Sequence, residues 1–452
     1  MHRRQFLQTA GTAFAAAAAP AIIPASALGR GSRPAPSDRV TVAFIGTGNQ
    51  GLNNLFGILA DERAQVVAVC DVNESSPGYW NGGIAGREPA RQYVEWHYAQ
   101  DKQNGTYHGC TGYADFRAVL AREDVDAVVL SLPDHWHAYP TIAAAQAGKH
   151  IYGEKPLSLT VQEGRLMSDV VKRHGVVFQT GSQQRSIGPM RHACELVRNG
   201  ILGDIHTVLI GQPSGTPDFG NVAHRYAPEP VPDGFDYDLW LGPAPEAPYS
   251  PARCHVNFRW LLDYSGGQIT DWGGHHPDIA QWGLGMDESG PVRIKNARGT
   301  WSDHPLYNTA DTYHFEAEYA NGTTLVISTD NRQGVRFEGT EGWVFVTRRT
   351  QEWSSDEIWN AELGANAIRL PVSENHYRNF IDHVLAGTQP VAPIEAAHRS
   401  ITIAHLGNIA LKSGRDLLWD PETEQIIGDE SASAMLSRPA RAPWSLDTLL
   451  NG

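Results

Sequence analysis

Hydrophobic and polar positions change period many times along this 452-residue chain, and the changes come in a regular order. Val40-Thr41-Val42-Ala43-Phe44-Ile45 is an apolar, β-branched run of the kind that fills the middle of a parallel sheet. A helical stretch, NNLFGILADE, follows, and then a second strand, QVVAVC. Residues 74–112, rich in Gly, Tyr and Trp, read as an insertion. A helix is expected around Ala114 to Arg122, then a strand over residues 125–132 that stops at Pro133. Next come a helix ending in AAAQAGK, capped by Gly148, and a strand at His150-Ile151-Tyr152. TVQEGRLMSDVVKRHG reads as an amphipathic helix and VVFQTGS as a further strand. Strands alternating with helices predict an α/β fold with a doubly wound parallel sheet.

Between the first strand and the first helix stands GTGNQG, which places Gly46, Gly48 and Gly51 in the G-x-G-x-x-G spacing around Asn49 and Gln50. The second strand ends in Asp71, 20 residues after Gly51. Strand, glycine turn, helix, strand and acid in that order are the fingerprint of a Rossmann dinucleotide site, expected over residues 39–186. The glycines let the backbone approach a pyrophosphate, whose charge is held by free N–H groups at the helix start. Asp71 would accept hydrogen bonds from the adenosine ribose and repel a 2′-phosphate, so the expected cofactor is NAD rather than NADP.

Residues 1–27 stand apart. Arg3-Arg4, then Phe6-Leu7 and an alanine-rich run from Thr9 to Ile23, make an export signal of the twin-arginine type. The run is shorter than the ~20 residues that span a bilayer and ends in a small-residue pattern. Cleavage is therefore expected after Ala27, with residues 28–38 as a linker, a periplasmic or otherwise exported product and no stable membrane insertion. The formal net charge of −14 becomes more negative once that segment, with two arginines and no acids, is removed. Such a balance repels nucleic acid and anionic lipid and points to an uncharged small substrate. Cys70, Cys110, Cys194 and Cys254 lie far apart, with neither the close pairs of a zinc site nor the density of a disulfide scaffold. Stability is left to the core, which suits a protein folded before export.

The order GTGNQG, Asp71, LPDHWHAYPTIAAAQAGKHIYGEKPLSLT and GGQITDWGGHHPDIAQWGLG resembles the Gfo/Idh/MocA family, named for glucose-fructose oxidoreductase, inositol dehydrogenase and a rhizopine-catabolism protein. The resemblance runs from about Val40 into HYRNFIDHVLAGTQPVAPIEAAHRSITIAHLGNIAL. It implies a C-terminal α+β domain over 187–452 with an open, mostly antiparallel sheet, used for substrate binding and for association into a homo-oligomer. The runs TYHFEAEYANGTTLVIST, with an Asn321-Gly322 hairpin turn, and WVFVTR fit that sheet.

The resemblance also implies roles. Lys155 of GEKP, Asp271 and His275 would be catalytic. Pro133, His137, Glu154 and Lys155 would join the glycine turn in holding the cofactor, and Trp136, Trp272 and His276 would meet the substrate. Oxidising a secondary alcohol needs a base for the hydroxyl proton, and a neutral histidine serves near pH 7. An ammonium at Lys155 would stabilise the developing alkoxide, and Asp271 would orient His275 or a substrate hydroxyl. Each has a bland alternative: an exposed lysine paired with Glu154, a helix N-cap at Asp271, a packed histidine at 275 or 276. Trp136, Trp260, Trp272 and Trp282 read first as core packing, although indoles also stack on sugar rings. His135 and His137 are spaced H-x-H, but no metal is expected.

Dinucleotide is made in the cytoplasm, and a folded-protein export route carries it across bound. The cofactor should then be tightly held and regenerated on the enzyme, with residues 74–112 and their Tyr79, Trp80, Tyr93 and Trp96 as a candidate flap. The expected function is an exported NAD-dependent oxidoreductase acting on a secondary hydroxyl of a sugar or polyol. The alternatives are an NAD-dependent glycosidase working by transient oxidation and elimination, and a non-catalytic sugar-binding or sensor protein. Carbohydrate and the twin-arginine export machinery are the expected partners.

Overall fold

The computed structural model describes residues 34–35, 38–100 and 105–451. The expected export signal, its expected cleavage point after Ala27 and all of the linker except residues 34, 35 and 38 lie outside the described residues.

Short, fully apolar strands build the first layer. In chain order they and their helices are β1 (Val40–Ile45), α1 (Asn49–Leu59), β2 (Ala64–Cys70), α2 (Arg87–Ala99), β3 (Thr111–Tyr113), α3 (Phe116–Leu120), β4 (Ala127–Leu130), α4 (Ala138–Gln146), β5 (His150–Gly153), α5 (Val161–His174) and β6 (Phe178–Thr180). Every neighbouring pair is parallel, in the order β3-β2-β1-β4-β5-β6. The order reverses between β1 and β4, and the carboxyl ends of the strands open a crevice there. This is the doubly wound Rossmann sheet that the alternating pattern predicts.

Residues 74–112 are more than an insertion, because they hold α2 and β3, a complete crossover unit of this sheet. Ala90, Val94 and Tyr98, four apart, form the buried stripe of α2, and the Tyr98 hydroxyl accepts from the Val66 amide at 2.9 Å. Tyr79 and Trp80 of the flap quartet line the crevice. Tyr93 packs against Phe56 and Trp96 is 57% exposed, and neither lines it.

The second layer comprises α6 (Gly188–Arg198), β7 (Ile205–Gly211), α7 (Tyr237–Leu241), α8 (Gln268–Gly273), α9 (His276–Leu284), β8 (Arg293–Trp301), β9 (Ala310–Glu318), β10 (Thr324–Ser328), β11 (Gly334–Gly339), β12 (Trp343–Val346), β13 (Gln351–Trp353), α10 (Asp356–Trp359), α11 (His376–Ala386), α12 (Ile394–Ser413), β14 (Leu417–Asp420) and β15 (Gln425–Ile427). The strands form one sheet in the order β13-β12-β11-β7-β10-β9-β8-β14-β15. β7 and β10 pair in parallel and the other neighbours antiparallel. Asn321-Gly322 turns β9 into β10, with Gly322 at φ +89°.

Two features join the layers. Helix α11 returns to the first, where Phe380 and Ile381 are buried among Val42, Leu55, Val129 and Tyr152. Arg185, 1% exposed, meets Asp278 of α9 through Nε and Nη2 at 2.8 Å each and Asp287 through Nη2 at 2.8 Å. All four cysteines are buried and free. Among the described residues no helix is long and apolar enough to cross a membrane.

Candidate active site

The turn after β1 is shaped by backbone contact. Gly46 has φ +88°, and a Cβ there would stand 2.2 Å from the Ser131 carbonyl oxygen. At Gly51 a Cβ would stand 2.1 Å from the Gly46 carbonyl oxygen, so this turn cannot carry side chains at either place. Helix α1 begins at Asn49 with no side chain capping its N-terminus, which leaves backbone donors facing a cleft. Gly46, Gly48, Asn49, Gln50, Asp71, Pro133, Asp134, Trp136, Glu154 and Lys155 all line that cleft. Its far wall comes from the long connection between β7 and α8, through Phe235, Trp240, His255, Phe258 and Arg259.

Asp71 closes one end. Its Oδ2 accepts from the Thr47 amide at 2.7 Å and hydroxyl at 3.2 Å, and its Oδ1 from the Asn73 amide at 2.9 Å. Burial raises its pKa against those bonds. Arg87, whose charge would suit a 2′-phosphate, is occupied by the Asp71 carbonyl and by Glu74. Glycine cradle, uncapped helix start and terminal acid together fit a dinucleotide without 2′-phosphate. Protein stripped of nucleotide is expected to bind NAD more tightly than NADP by roughly tenfold or more, because a phosphate beside this carboxylate is repelled. Titration with both decides it, and equal or tighter NADP binding would remove Asp71 from the ribose site.

At the other end Lys155 Nζ donates to Asp271 Oδ1 at 2.9 Å and to the Asp271 carbonyl at 3.1 Å. Arg259 Nε donates to the same Oδ1 at 3.2 Å. Burial would raise the Asp271 pKa, but Lys155 and Arg259 more than offset it and hold the carboxyl well below the usual range. His275 caps the break between α8 and α9, and its Nδ1 is buried without a partner. Burial, reinforced by the Lys155 and Arg348 charges, pushes its pKa well below the ordinary imidazole value, so the ring is neutral. The structure thus brings Lys155, Asp271 and His275 together across more than a hundred residues of chain.

Glu154 is a hub. Its Oε1 accepts from Gln50 at 3.2 Å, Asn54 at 3.0 Å and Gln183 at 3.0 Å. The Glu154–Pro156 loop after β5 is thereby tied to the helix that starts at the glycine turn. His137 stands outside the cleft wall, with Nε2 donating to the Leu132 carbonyl at 2.8 Å and holding the loop after β4. Trp136 shows the cleft an edge, while its Nε1 donates to the Trp240 carbonyl at 2.9 Å and its ring packs on Trp444. Trp272 lies between His276 and the guanidinium of Arg348. His276 Nδ1 donates to the Gly211 carbonyl at 2.8 Å. Trp260 and Trp282 are core residues.

Sequence reasoning missed Arg259, Arg348 and Asp134 as site residues. Asp134 is 4% exposed, its Oδ2 has no hydrogen-bond partner, and burial pushes its pKa up to about 7. Its place directly after Pro133 at a strand end was the available signal. Arg259 sits in a one-turn 3₁₀ helix, Asn257–Trp260, and Arg348 in a hairpin turn, neither with a period to mark it. Among the described residues no group of histidine, cysteine and acidic side chains is placed to hold a metal ion.

Comparison with known proteins identifies the family and the fold. Residues 40–182 match an oxidoreductase-family model described as an NAD-binding Rossmann fold, and residues 187–446 match the C-terminal alpha/beta domain of the same family. The WlbA dehydrogenase of Bordetella pertussis, solved with NADH and UDP-GlcNAcA, has the same fold at 18% identity and a TM-score of 0.59, over 84% of this chain and 99% of that one. A glycosyl hydrolase family 109 protein of Shewanella sp. (strain W3-18-1) is 31% identical over 186 residues, 38% of this chain and 37% of its own. A 2,7-anhydro-N-acetylneuraminate hydratase of Mediterraneibacter gnavus is 32% identical over 96 residues, 21% of this chain. The matched stretch spans about a quarter, 26%, of that hydratase's length.

Proposed function

Because the chain belongs to the Gfo/Idh/MocA oxidoreductase family, we propose that it is an exported NAD-dependent enzyme that oxidises a secondary hydroxyl of a sugar or polyol. The observation that carries this reading is the Lys155–Asp271 pair, 2.9 Å apart, beside a neutral His275, with Lys155 lining the same cleft as the glycine cradle. Bound NAD supplies the acceptor for the hydride. The protein's own groups handle the proton and the charge. The neutral ring of His275 takes the hydroxyl proton. Lys155 Nζ faces the oxygen as negative charge develops on it, and Asp271 holds that ammonium in place.

Export is supported by Arg3-Arg4 and the alanine-rich run behind them. A retained cofactor is supported by the segment folded over the start of α1, where the Trp80 amide donates to Asn49 Oδ1 at 2.8 Å and Tyr79 covers Gly48. Self-association is supported by Leu418 and Ile427, cross-strand partners on β14 and β15 that are 52% and 57% exposed. Protein recovered from the periplasm, dialysed and denatured is expected to release about one dinucleotide per chain. Its absorbance should change when a carbohydrate panel is added. Substoichiometric cofactor, with activity only in millimolar NAD, would overturn retention.

Asp134 supports a second reading, the glycosidase that oxidises transiently, eliminates and re-reduces. Such a cycle needs a further proton donor for the leaving group, and Asp134 is a buried carboxyl in the cleft, one of whose oxygens has no hydrogen-bond partner. The similarity to family 109 glycosyl hydrolases points the same way. Release of nitrophenol from aryl glycosides, without net NADH, separates the two readings.

A further inference from the structure

Three cations converge on the reacting centre of a strongly acidic chain. Lys155 and Arg259 share a single carboxylate oxygen, Asp271 Oδ1. Arg348, from the turn between β12 and β13, is exposed and lies 5.3 Å from the centroid of the Trp272 ring, the face of an aromatic that orders a guanidinium. Among the described residues Arg348 has no hydrogen bond or ion pair. It stands close enough to His275 to disfavour protonation there and to feel the charge of Asp271. Beyond its bond to Asp271, Arg259 gives one further nitrogen, Nη1, to the Val256 carbonyl at 3.0 Å. Of the other carboxyls lining the cleft near Lys155, Glu154 is taken up by Gln50, Asn54 and Gln183, and Asp134 is one that burial partly neutralises near pH 7.

Arg348 is therefore a cation without a paired carboxylate beside Trp272 and His275, although the chain as a whole carries −14. Net charge governs the distant field, whereas groups a few ångströms away govern what binds in a low-dielectric site. A neutral sugar closing over Arg348 and Arg259 would remove water from guanidinium groups and give no counter-charge in return. A carboxylate matches the planar fork of Arg348 and can also accept from Nη2 of Arg259.

We propose that the substrate is a sugar acid, with the hydroxyl to be oxidised at Lys155 and His275 and its carboxylate against Arg348 and Arg259. This rests on the oxidoreductase reading for the position of the hydroxyl and names the substrate class of that same site.

The test is calorimetric titration of the NAD-loaded full-length protein with D-glucose against D-glucuronate, D-galactose against D-galacturonate, and D-glucose 6-phosphate, for the native protein and for Arg348→Gln. One hexuronate is expected to bind at least ~10-fold more tightly than its hexose, the size of one charge-assisted hydrogen bond. The preference should shrink to about threefold or less in Arg348→Gln and fall with added salt. A hexose that binds as tightly as its acid, no heat with either acid, or an undiminished preference in Arg348→Gln overturns the proposal. So does a phosphate that outbinds both acids. Thermal unfolding checks that the variant is folded. If a neutral sugar alone reduces the bound cofactor, the sugar acid falls and the oxidoreductase stands. If an acid binds tightly with no change in the cofactor absorbance, the sugar acid stands and the oxidoreductase falls.

Discussion

Lys155→Ala is expected to lower turnover by roughly a hundredfold or more, with a folded protein that still contains dinucleotide. Without the ammonium, nothing at that position offsets the charge that develops on the substrate oxygen, and Asp271 keeps Arg259 alone as a partner. His275→Ala should cost a similar factor through loss of the base, and Asp271→Asn through misplacement of the lysine. His276→Ala should cost much less, because that ring is committed to the Gly211 carbonyl. The pH profile adds an independent check. A base works when unprotonated, so activity falls as pH drops through its pKa. Burial and the neighbouring Lys155 lower the His275 value, so its limb should lie on the acid side of 6.5. Steady-state kinetics of the variants from pH 4 to 9, roughly the range where buried imidazoles titrate, measures both. Near-native turnover in His275→Ala, with loss in His276→Ala, would assign the base to the other ring.

Asp278→Ala is expected to destabilise the fold by about 3–5 kcal/mol, the loss that follows when one partner of a buried ion pair is removed. Arg185 would keep only Asp287, its guanidinium still 1% exposed, and Ser400 would lose the acceptor that its hydroxyl meets at 2.9 Å. Asp278→Asn keeps an acceptor and should cost less. Urea unfolding monitored by tryptophan fluorescence gives the difference. A loss below about 1 kcal/mol for the alanine would mean that Asp287 and the Trp282 ring, 5.2 Å from the guanidinium, suffice to hold the charge.

The fold was legible wherever burial is periodic. β1 begins and ends where its apolar run does, and α5 shows its stripe, its Thr160–Glu163 capping box and its terminal Gly175 in the residues themselves. α2 was missed although Ala90, Val94 and Tyr98 carry a helical period, because the glycines and aromatics ahead of it suggested a loop. β3 had no signal at all: it is three residues long with two exposed. At the site, the glycines were readable because backbone meets backbone there and only one residue type fits. Lys155, Asp271 and His275 were read by resemblance, and the structure adds what that could not supply, the 2.9 Å pairing and the buried, unpartnered imidazole nitrogen. Arg259 and Arg348 could not be read, since a residue in a one-turn 3₁₀ helix and a residue in a hairpin turn acquire meaning only from what the fold sets beside them.

Helix α11 carries a consequence for recombination. Tyr377 fills the space beside Gly57 on α1, and its hydroxyl donates to Asn54 Oδ1 at 3.0 Å, one bond away from Glu154. The half of the chain that builds the glycine turn is therefore completed by residues nearly two hundred positions beyond its last strand. A chimaera that exchanges the cofactor half by a single crossover near residue 187 would pair a foreign α1 with this Tyr377 and Phe380. Exchange between distant relatives needs 376–386 to travel with the N-terminal segment, so inheritance of this cofactor site is discontinuous along the gene.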